Sequence, residues 1–128
     1  MGAVKRVKQD AVFSNYIRER DKWCCQRCGK AYNKHNSNAR RALHCSHFHG
    51  RGKWSVRFDP ENAVALCRGC HQIFTSYPDD HVSFFKKRLG IKKYRALRER
   101  KNTLIKKREF LNNKFLNELN LMLEEVSE

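Results

Sequence analysis

Two copies of one spacing constrain this chain more than anything else in it. Cys25 and Cys28 stand in CQRCG, and Cys67 and Cys70 stand in CRGCH. In a C-x-x-C pair one tight turn aims two thiolates at the same point, and two pairs make a closed tetrahedral sulfur site, the usual form of structural zinc. The first pair is followed by Gly29, as a knuckle turn needs, and the second leads into a helical pattern. The alternatives are four free cysteines or two disulfides. A disulfide scaffold does not favour two C-x-x-C pairs separated by 38 residues. The four-cysteine reading therefore predicts a reducing compartment and a fold stapled by Zn²⁺.

Size makes a staple useful. With 128 residues the chain has room for one small domain and an appended helix, and the core of such a domain is small. Its charge is lopsided, with 28 Lys and Arg against 13 Asp and Glu, a formal net charge of +15. A solvated helix face explains one charge run but not an excess of this size, so a polyanionic partner is expected, and DNA before an anionic membrane surface. The first ten residues, MGAVKRVKQD, lack the apolar stretch of a signal peptide. No run approaches the roughly 18 apolar residues of a membrane span. The expectation is a soluble, cytoplasmic protein with no membrane partner.

Periodicity divides the chain at Gly90. Residues 1–9 read as a loose basic lead. A helix capped by Asp10 follows to about Arg20, then the first knuckle from Asp21 to Lys30. Residues 32–41 are polar and read as a loop. Ala42–Phe48 predicts a strand, and Val56–Phe58 an extended piece. Asn62–Leu66 predicts a second short strand, and Arg68–Tyr77 a helix stopped by Pro78. A helix capped by Asp79 or Asp80 then runs to Leu89, with Gly90 as its terminating glycine. From Ile91 onward there is neither Gly nor Pro, and Leu97, Leu104, Leu111, Phe115, Leu119, Met122 and Val126 recur near helical period. Residues 1–90 thus form the zinc domain. Residues 91–128 form a helical arm, basic first and acidic at Glu124, Glu125 and Glu128, as one helix or as two joined near Asn102–Thr103. Its apolar stripe docks on the domain or forms a homodimer. The fold class is α+β: a small treble-clef domain of the ββα-metal type with flanking helices.

Strand, loop, short strand and helix bracketed by a zinc site place chemistry where the strands meet the helix. Phosphodiester hydrolysis needs a base for water and a cation on the phosphate. His47 ends the first strand, and a neutral imidazole takes a proton near pH 7. His71 opens the helix after Cys70 and can reach a metal ion there. Asn62 can tie down the loop that holds His47. Arg51, Lys53 and Arg57 in and beside a short Gly-punctuated loop are candidates for phosphate contacts.

These residues carry a resemblance. The order His47, Asn62, His71 is that of the HNH nucleases. DAVFSNYIRERD, C-x-x-CG, a Ser-His-aromatic step, RFDPEN, C-x-x-C and a helix closing in RLG resemble the NinG (Rap) recombination endonucleases of lambdoid phages over residues 10 to 90. The resemblance implies a divergent HNH fold and a metal-dependent endonuclease acting on branched intermediates such as D-loops and Holliday junctions, alongside recombination proteins, in the cytoplasm of a bacterial host. It implies that His47, Asn62 and His71 are the catalytic set. One departure matters. Many HNH enzymes carry a metal-binding aspartate directly before the base histidine, and here that residue is Ser46. No acidic residue falls between Asp21 and Asp59. His44 and His81 are the replacements at hand, and a histidine-rich site widens the choice from Mg²⁺ or Mn²⁺ to Ni²⁺ or Zn²⁺. A zinc-finger module that binds DNA without cutting it, and an accessory protein that dimerises and recruits a recombinase, both explain the cysteines and the charge without using the histidines.

Overall fold

A computed structural model describes residues 4–127. The first part of the expected loose basic lead, and Glu128 of the acidic end, lie outside the described residues. The chain is a mixed α+β protein built on one two-stranded sheet. Helix α1 (Lys8–Arg20) comes first, and the short α2 (Ala39–Ala42) leads into strand β1 (Leu43–His47). A helical turn, α3 (Trp54–Arg57), and a 3-10 turn (Pro60–Asn62) fill the crossover to strand β2 (Ala63–Cys67). Helices α4 (Arg68–Ser76), α5 (Pro78–Leu89) and α6 (Ile91–Lys101) follow, and α7 (Asn113–Ser127) closes the described chain.

The strands pair antiparallel, with Leu43 opposite Cys67, Cys45 opposite Ala65 and His47 opposite Ala63. Residues opposite each other share a face, and faces alternate along a strand. Leu43, Cys45 and His47 therefore look one way with Ala63 and Ala65, toward α1. His44 and Ser46 look the other way with Val64 and Leu66, toward α4. Phe13 and Ile17 of α1 and Phe74 of α4 are buried against these two faces.

Several local expectations change. Asp10 does not cap α1 from outside. It sits in the first turn and accepts the Val7 N–H at 2.8 Å, while its carboxylate is taken up by Arg57. Val56 to Phe58 is not extended: Trp54–Arg57 is a helical turn, held because Asn62 Nδ2 donates to the Val56 carbonyl at 3.0 Å. Pro78 stops α4 as expected but also starts α5 at its first position, where a missing N–H costs nothing. Asp79 and Asp80 lie in the first turn of α5, favourable to its dipole. Gly90 has φ +81, the left-handed region that a C-terminal glycine supplies.

The C-terminal third is two helices, with 102–112 between them. α6 ends at Asn102, and the restart comes ten residues later, where Asn112 Oδ1 accepts the Phe115 N–H at 2.8 Å. Tyr94 and Leu119 lie in the same core cluster as Phe13 and Leu66. α7 packs on α1, so helices on both sides of Gly90 share one core. No helix among the described residues is long and apolar enough to cross a membrane.

Candidate metal centre and histidine site

The knuckle forms because the chain reverses twice within ten residues. Gly29, at φ +81, donates its N–H to the Cys25 carbonyl at 2.8 Å, closing the turn that aims Cys25 and Cys28 the same way. Asp21 anchors the knuckle from below. It is buried, accepts the Ala65 N–H at 2.8 Å, and pairs with Arg20 and Arg88. The other pair straddles the β2–α4 junction, where Cys67 caps α4 by accepting the Cys70 N–H. The sulfurs of Cys25, Cys28, Cys67 and Cys70 all lie within 4.8 Å of one another. Cys28 Sγ and Cys67 Sγ are 3.8 Å apart, and the edge of a tetrahedron with Zn–S bonds of about 2.3 Å is about 3.8 Å. The donor set fits a zinc ion.

Electrostatics at this cluster are uneven without an ion. Burial pushes the Cys70 thiol up to about 12. Burial also opposes ionisation of Cys25, but backbone N–H groups of Cys28, Cys67 and Arg27 outweigh it and bring that thiol down to about 7. Arg27 Nη1 donates to Cys70 Sγ at 3.4 Å. One thiolate forms readily, and a cation is needed to make four.

On the α4 face of the sheet, β1 and the start of α4 bring two imidazoles together. His44 Nδ1 lies 2.9 Å from His71 Nδ1. His44 Nε2 lies 2.9 Å from the Arg41 carbonyl. A carbonyl only accepts, so His44 carries its proton on Nε2 and presents a lone pair from Nδ1. That is the outer-shell arrangement of a metal-bound histidine. Two nitrogens each about 2.1 Å from one ion lie roughly 3 Å apart at a right angle, so this pair fits a shared metal. Burial first, and His44 second, hold His71 below the usual imidazole value.

His81 does not join them. Its ring stacks on Phe74 at 4.8 Å and meets the Phe48 edge at 5.0 Å, and its buried Nε2 has no partner. His49 Nε2 is also buried and unpartnered, its ring 4.6 Å from that of Phe48. Burial, then the charges of Lys101, His81 and Lys53, depress His49 to about 4. Ser46 is 1% exposed and its hydroxyl has no partner. Among the described residues the four cysteines form the single group of three or more candidate metal-ligand residues, so the histidine site offers two protein ligands and no carboxylate.

His47 lies on the opposite face. Its ring packs 5.7 Å from Phe13, and Nε2 is 2.8 Å from the Arg57 carbonyl. That contact puts the proton on Nε2 and leaves Nδ1 as the basic atom. Burial holds His47 below the ordinary imidazole value, with Asp10 partly opposing and Arg51 and Arg57 assisting. Asn62 is fully buried and clamps the intervening loop. Its Oδ1 accepts the His49 N–H at 2.8 Å, and its Nδ2 donates to the His49 and Val56 carbonyls.

Of the three proposed phosphate contacts, Arg57 must be corrected. Its side chain is 0% exposed. The guanidinium pairs with both Asp10 oxygens, at 3.0 and 2.6 Å, donates to the Lys5 carbonyl, and lies over the Trp54 ring at 4.3 Å. A charge this enclosed has its partner already and offers nothing to a phosphate. Arg51 is half-buried, 3.7 Å from Asp10. Lys53 is exposed. Sequence reasoning missed Asp10 as the counter-charge, because a carboxylate at a helix start reads equally well as a cap.

Comparison with known proteins points the same way as the geometry. The chain is similar to a protein of Lactococcus phage SK1 named "Probable HNH endonuclease", 31% identical over 69 residues that span 54% of this chain and 71% of that protein. No family model matches the chain, and no solved structure matches it.

Proposed function

The chain belongs to the HNH endonuclease family, and from that premise we propose that it is a metal-dependent endonuclease that hydrolyses phosphodiester bonds in branched DNA, such as D-loops and Holliday junctions. The observation that carries the reading is the His44–His71 pair: two imidazole Nδ1 atoms at 2.9 Å, one of them oriented by the Arg41 carbonyl. The branched substrate rests on the NinG resemblance over residues 10 to 90 and on the net charge of +15.

In this reading Cys25, Cys28, Cys67 and Cys70 hold a structural zinc that ties knuckle, strand and helix into a treble clef of ββα-metal type. His44 and His71 would hold a divalent ion, which would supply positive charge for the scissile phosphate and the leaving oxygen. From the last position of β1, on the face opposite the metal pair, His47 takes the proton of the attacking water at Nδ1, which requires the scissile phosphate to sit across the end of the strand rather than over either face. The Arg57 carbonyl fixes its tautomer, and Asn62 keeps the loop beside it closed. His81 stands behind His71 and orders the Phe74–Phe48 wall. Lys53, and more weakly Arg51, contact the DNA backbone. Two imidazoles without a carboxylate favour Mn²⁺, Ni²⁺ or Zn²⁺ over Mg²⁺.

The test is cleavage of junction, D-loop and linear duplex DNA with each of these ions supplied in turn. The expected result is cutting of the branched substrates that His71→Ala abolishes and higher metal concentration partly restores. A second reading has its own support. Ser46 stands where many HNH sites carry a carboxylate, and its buried hydroxyl is unpartnered. If the wild-type protein binds every substrate and cuts none with any ion, the chain is a DNA-binding module on an HNH scaffold.

A further inference from the structure

Beside the histidine pair lies a cleft that the proposed chemistry does not use. It has a volume of about 490 Å³ and is lined by Lys30, Tyr32, Asn38, Arg41, Cys67 and Arg68 among others, with no acidic residue. A second hollow of about 230 Å³ shares Tyr32, Asn38 and Ala42 with it and adds Asn33, Asn36 and Ala39, so the two adjoin along the shared residues and make a trough.

Its charges are unspent. None of Lys30, Arg41 and Arg68 enters an ion pair among the described residues. They do not serve the cysteine cluster either, since the cation that touches a sulfur there is Arg27. The Lys30 ammonium sits 5.3 Å over the Tyr32 ring. The amides are held in place: Asn33 Oδ1 accepts the His35 N–H and Asn36 Oδ1 accepts the Asn38 N–H, each at 2.9 Å. Both turns occupy the amide oxygen and leave the Nδ2 donors without a partner among the described residues. Two unpaired cations, Arg41 and Arg68, a third, Lys30, that swings off the half-buried Tyr32 ring as a base stacks there, and fixed amides are what a nucleotide asks for: phosphate contacts, a stacking surface and edge hydrogen bonds. A base paired within a duplex cannot present its face to a ring in such a trough, whereas an unpaired base can.

We infer that this trough binds an unpaired nucleotide of a DNA strand. Arg41 links it to the cutting site, because it lines the cleft and its carbonyl holds His44. The trough therefore selects strands that leave a duplex next to the His44–His71 pair. That role rests on the proposed nuclease reading, whereas the binding itself is measurable without any cleavage.

The experiment uses the full zinc-loaded chain with no other divalent ion added, so nothing is cut. Fluorescence anisotropy compares a short oligothymidylate with a blunt duplex of equal length. Tyr32→Leu should weaken oligothymidylate binding by about 10-fold or more, the typical worth of one stacked base. It should leave duplex affinity within about twofold, and Tyr32→Phe should bind like wild type. Arg68→Gln, exposed and independent of the core, should lower the salt slope on the oligonucleotide by about 0.7, one phosphate's worth. Unchanged oligonucleotide binding in Tyr32→Leu with its zinc content and melting intact overturns the inference. An equal loss on duplex and single strand also overturns it, since the trough would then be a general phosphate patch. Oligonucleotide binding as expected, from a protein that cuts nothing with any ion, keeps the trough and removes the nuclease.

Discussion

The four knuckle cysteines and the five histidines around the sheet follow opposite designs. The sulfurs converge within 4.8 Å, from two turns whose backbones are fully committed. The imidazoles are spread over both faces of one two-stranded sheet. His44 and His71 meet, His49 and His81 both pack on Phe48 with Nε2 unpartnered, and His47 is locked on the α1 side. A closed site completes its own coordination and contributes to folding. An ion held by the histidine pair would keep open positions for water or substrate, as catalytic sites do. The proposed division of labour follows: cysteines for fold, histidines for chemistry.

The largest effect should come from the closed site. Structural zinc binds small domains with an apparent strength of about 10–16 kcal/mol, nearly all of it folding energy. Cys28→Ser and Cys70→Ser should therefore give unfolded or insoluble protein, and chelation should melt the wild type. Metal analysis and thermal melting read both. A purified chain without zinc, or a Cys28→Ser variant that melts like wild type, would erase the contrast between the two sites.

Why the cysteines were legible and the histidines only partly so is a matter of range. A C-x-x-C pair is a local object: four residues and one turn set its geometry, and Gly29 marks the turn. The fold-level reading of strand, crossover, strand and helix was equally local, since Pro78, Gly90 and the short apolar runs punctuate it. His47 and His71 could be named from order along the chain, but order does not say which face of β1 each side chain uses. Period-two alternation does say it, once register is known, and it puts His44 rather than His47 beside His71. Arg57 misled because basic residues near a Gly-rich loop usually face solvent. Its partner, Asp10, is 47 residues away in sequence. The break after α6 falls at the Asn102–Thr103 joint that the sequence offers, but its length was opaque, because residues 102–112 hold neither Gly nor Pro and continue an apolar spacing that would suit a helix.

His47→Ala sharpens the comparison from the other side. It removes no cysteine and little charge, so zinc content and DNA affinity should persist, with melting lowered by the ring lost beside Phe13. Cleavage should fall by about 10²–10⁴, the usual worth of a positioned base. Equal cutting by variant and wild type would shift the base to another histidine. The pH profile adds a sign. The base works when neutral, and burial lowers its pKa in the folded protein. The acid limb of the rate should thus lie below the ordinary imidazole value of about 6.5. A limb above it would mean that His47 is not the group being titrated.

Asp10→Asn tests the mount rather than the base. Asp10 is 2% exposed and Arg57 0%, and removing one partner of such a pair costs about 3–5 kcal/mol. Burial raises the Asp10 pKa, but the Arg57 hydrogen bonds, the Val7 N–H and the charges of Arg57 and Arg51 outweigh it, so the net shift is downward. A lowered carboxylate pKa contributes stability above its unfolded value of about 3.9 and loses it as pH falls through the folded one. The gap in stability between wild type and Asp10→Asn should be full near neutral pH and shrink in acid. A gap that does not change with pH would mean the pair acts by packing alone. If the variant folds, its cleavage should drop with zinc retained, because the Arg57 carbonyl loses its anchor beside His47.

The smallest effect concerns the surface, where burial ranks three neighbouring cations. Each phosphate neutralised on duplex DNA contributes about 0.9 to the salt slope of binding. Lys53 is exposed, so Lys53→Gln should lower the slope by nearly that amount. Arg51 lies 3.7 Å from Asp10 and donates to the Val4 carbonyl. It must leave both to reach a phosphate, so Arg51→Gln should lower the slope by less. Arg57 has no phosphate to give up. Arg57→Met should cost stability through the orphaned Asp10 while the remaining folded protein keeps the wild-type slope. Affinity measured against salt for the three variants orders them as Lys53, Arg51, Arg57. A drop in slope for folded Arg57→Met as large as that for Lys53→Gln would show that the loop opens to release its buried arginine when DNA binds.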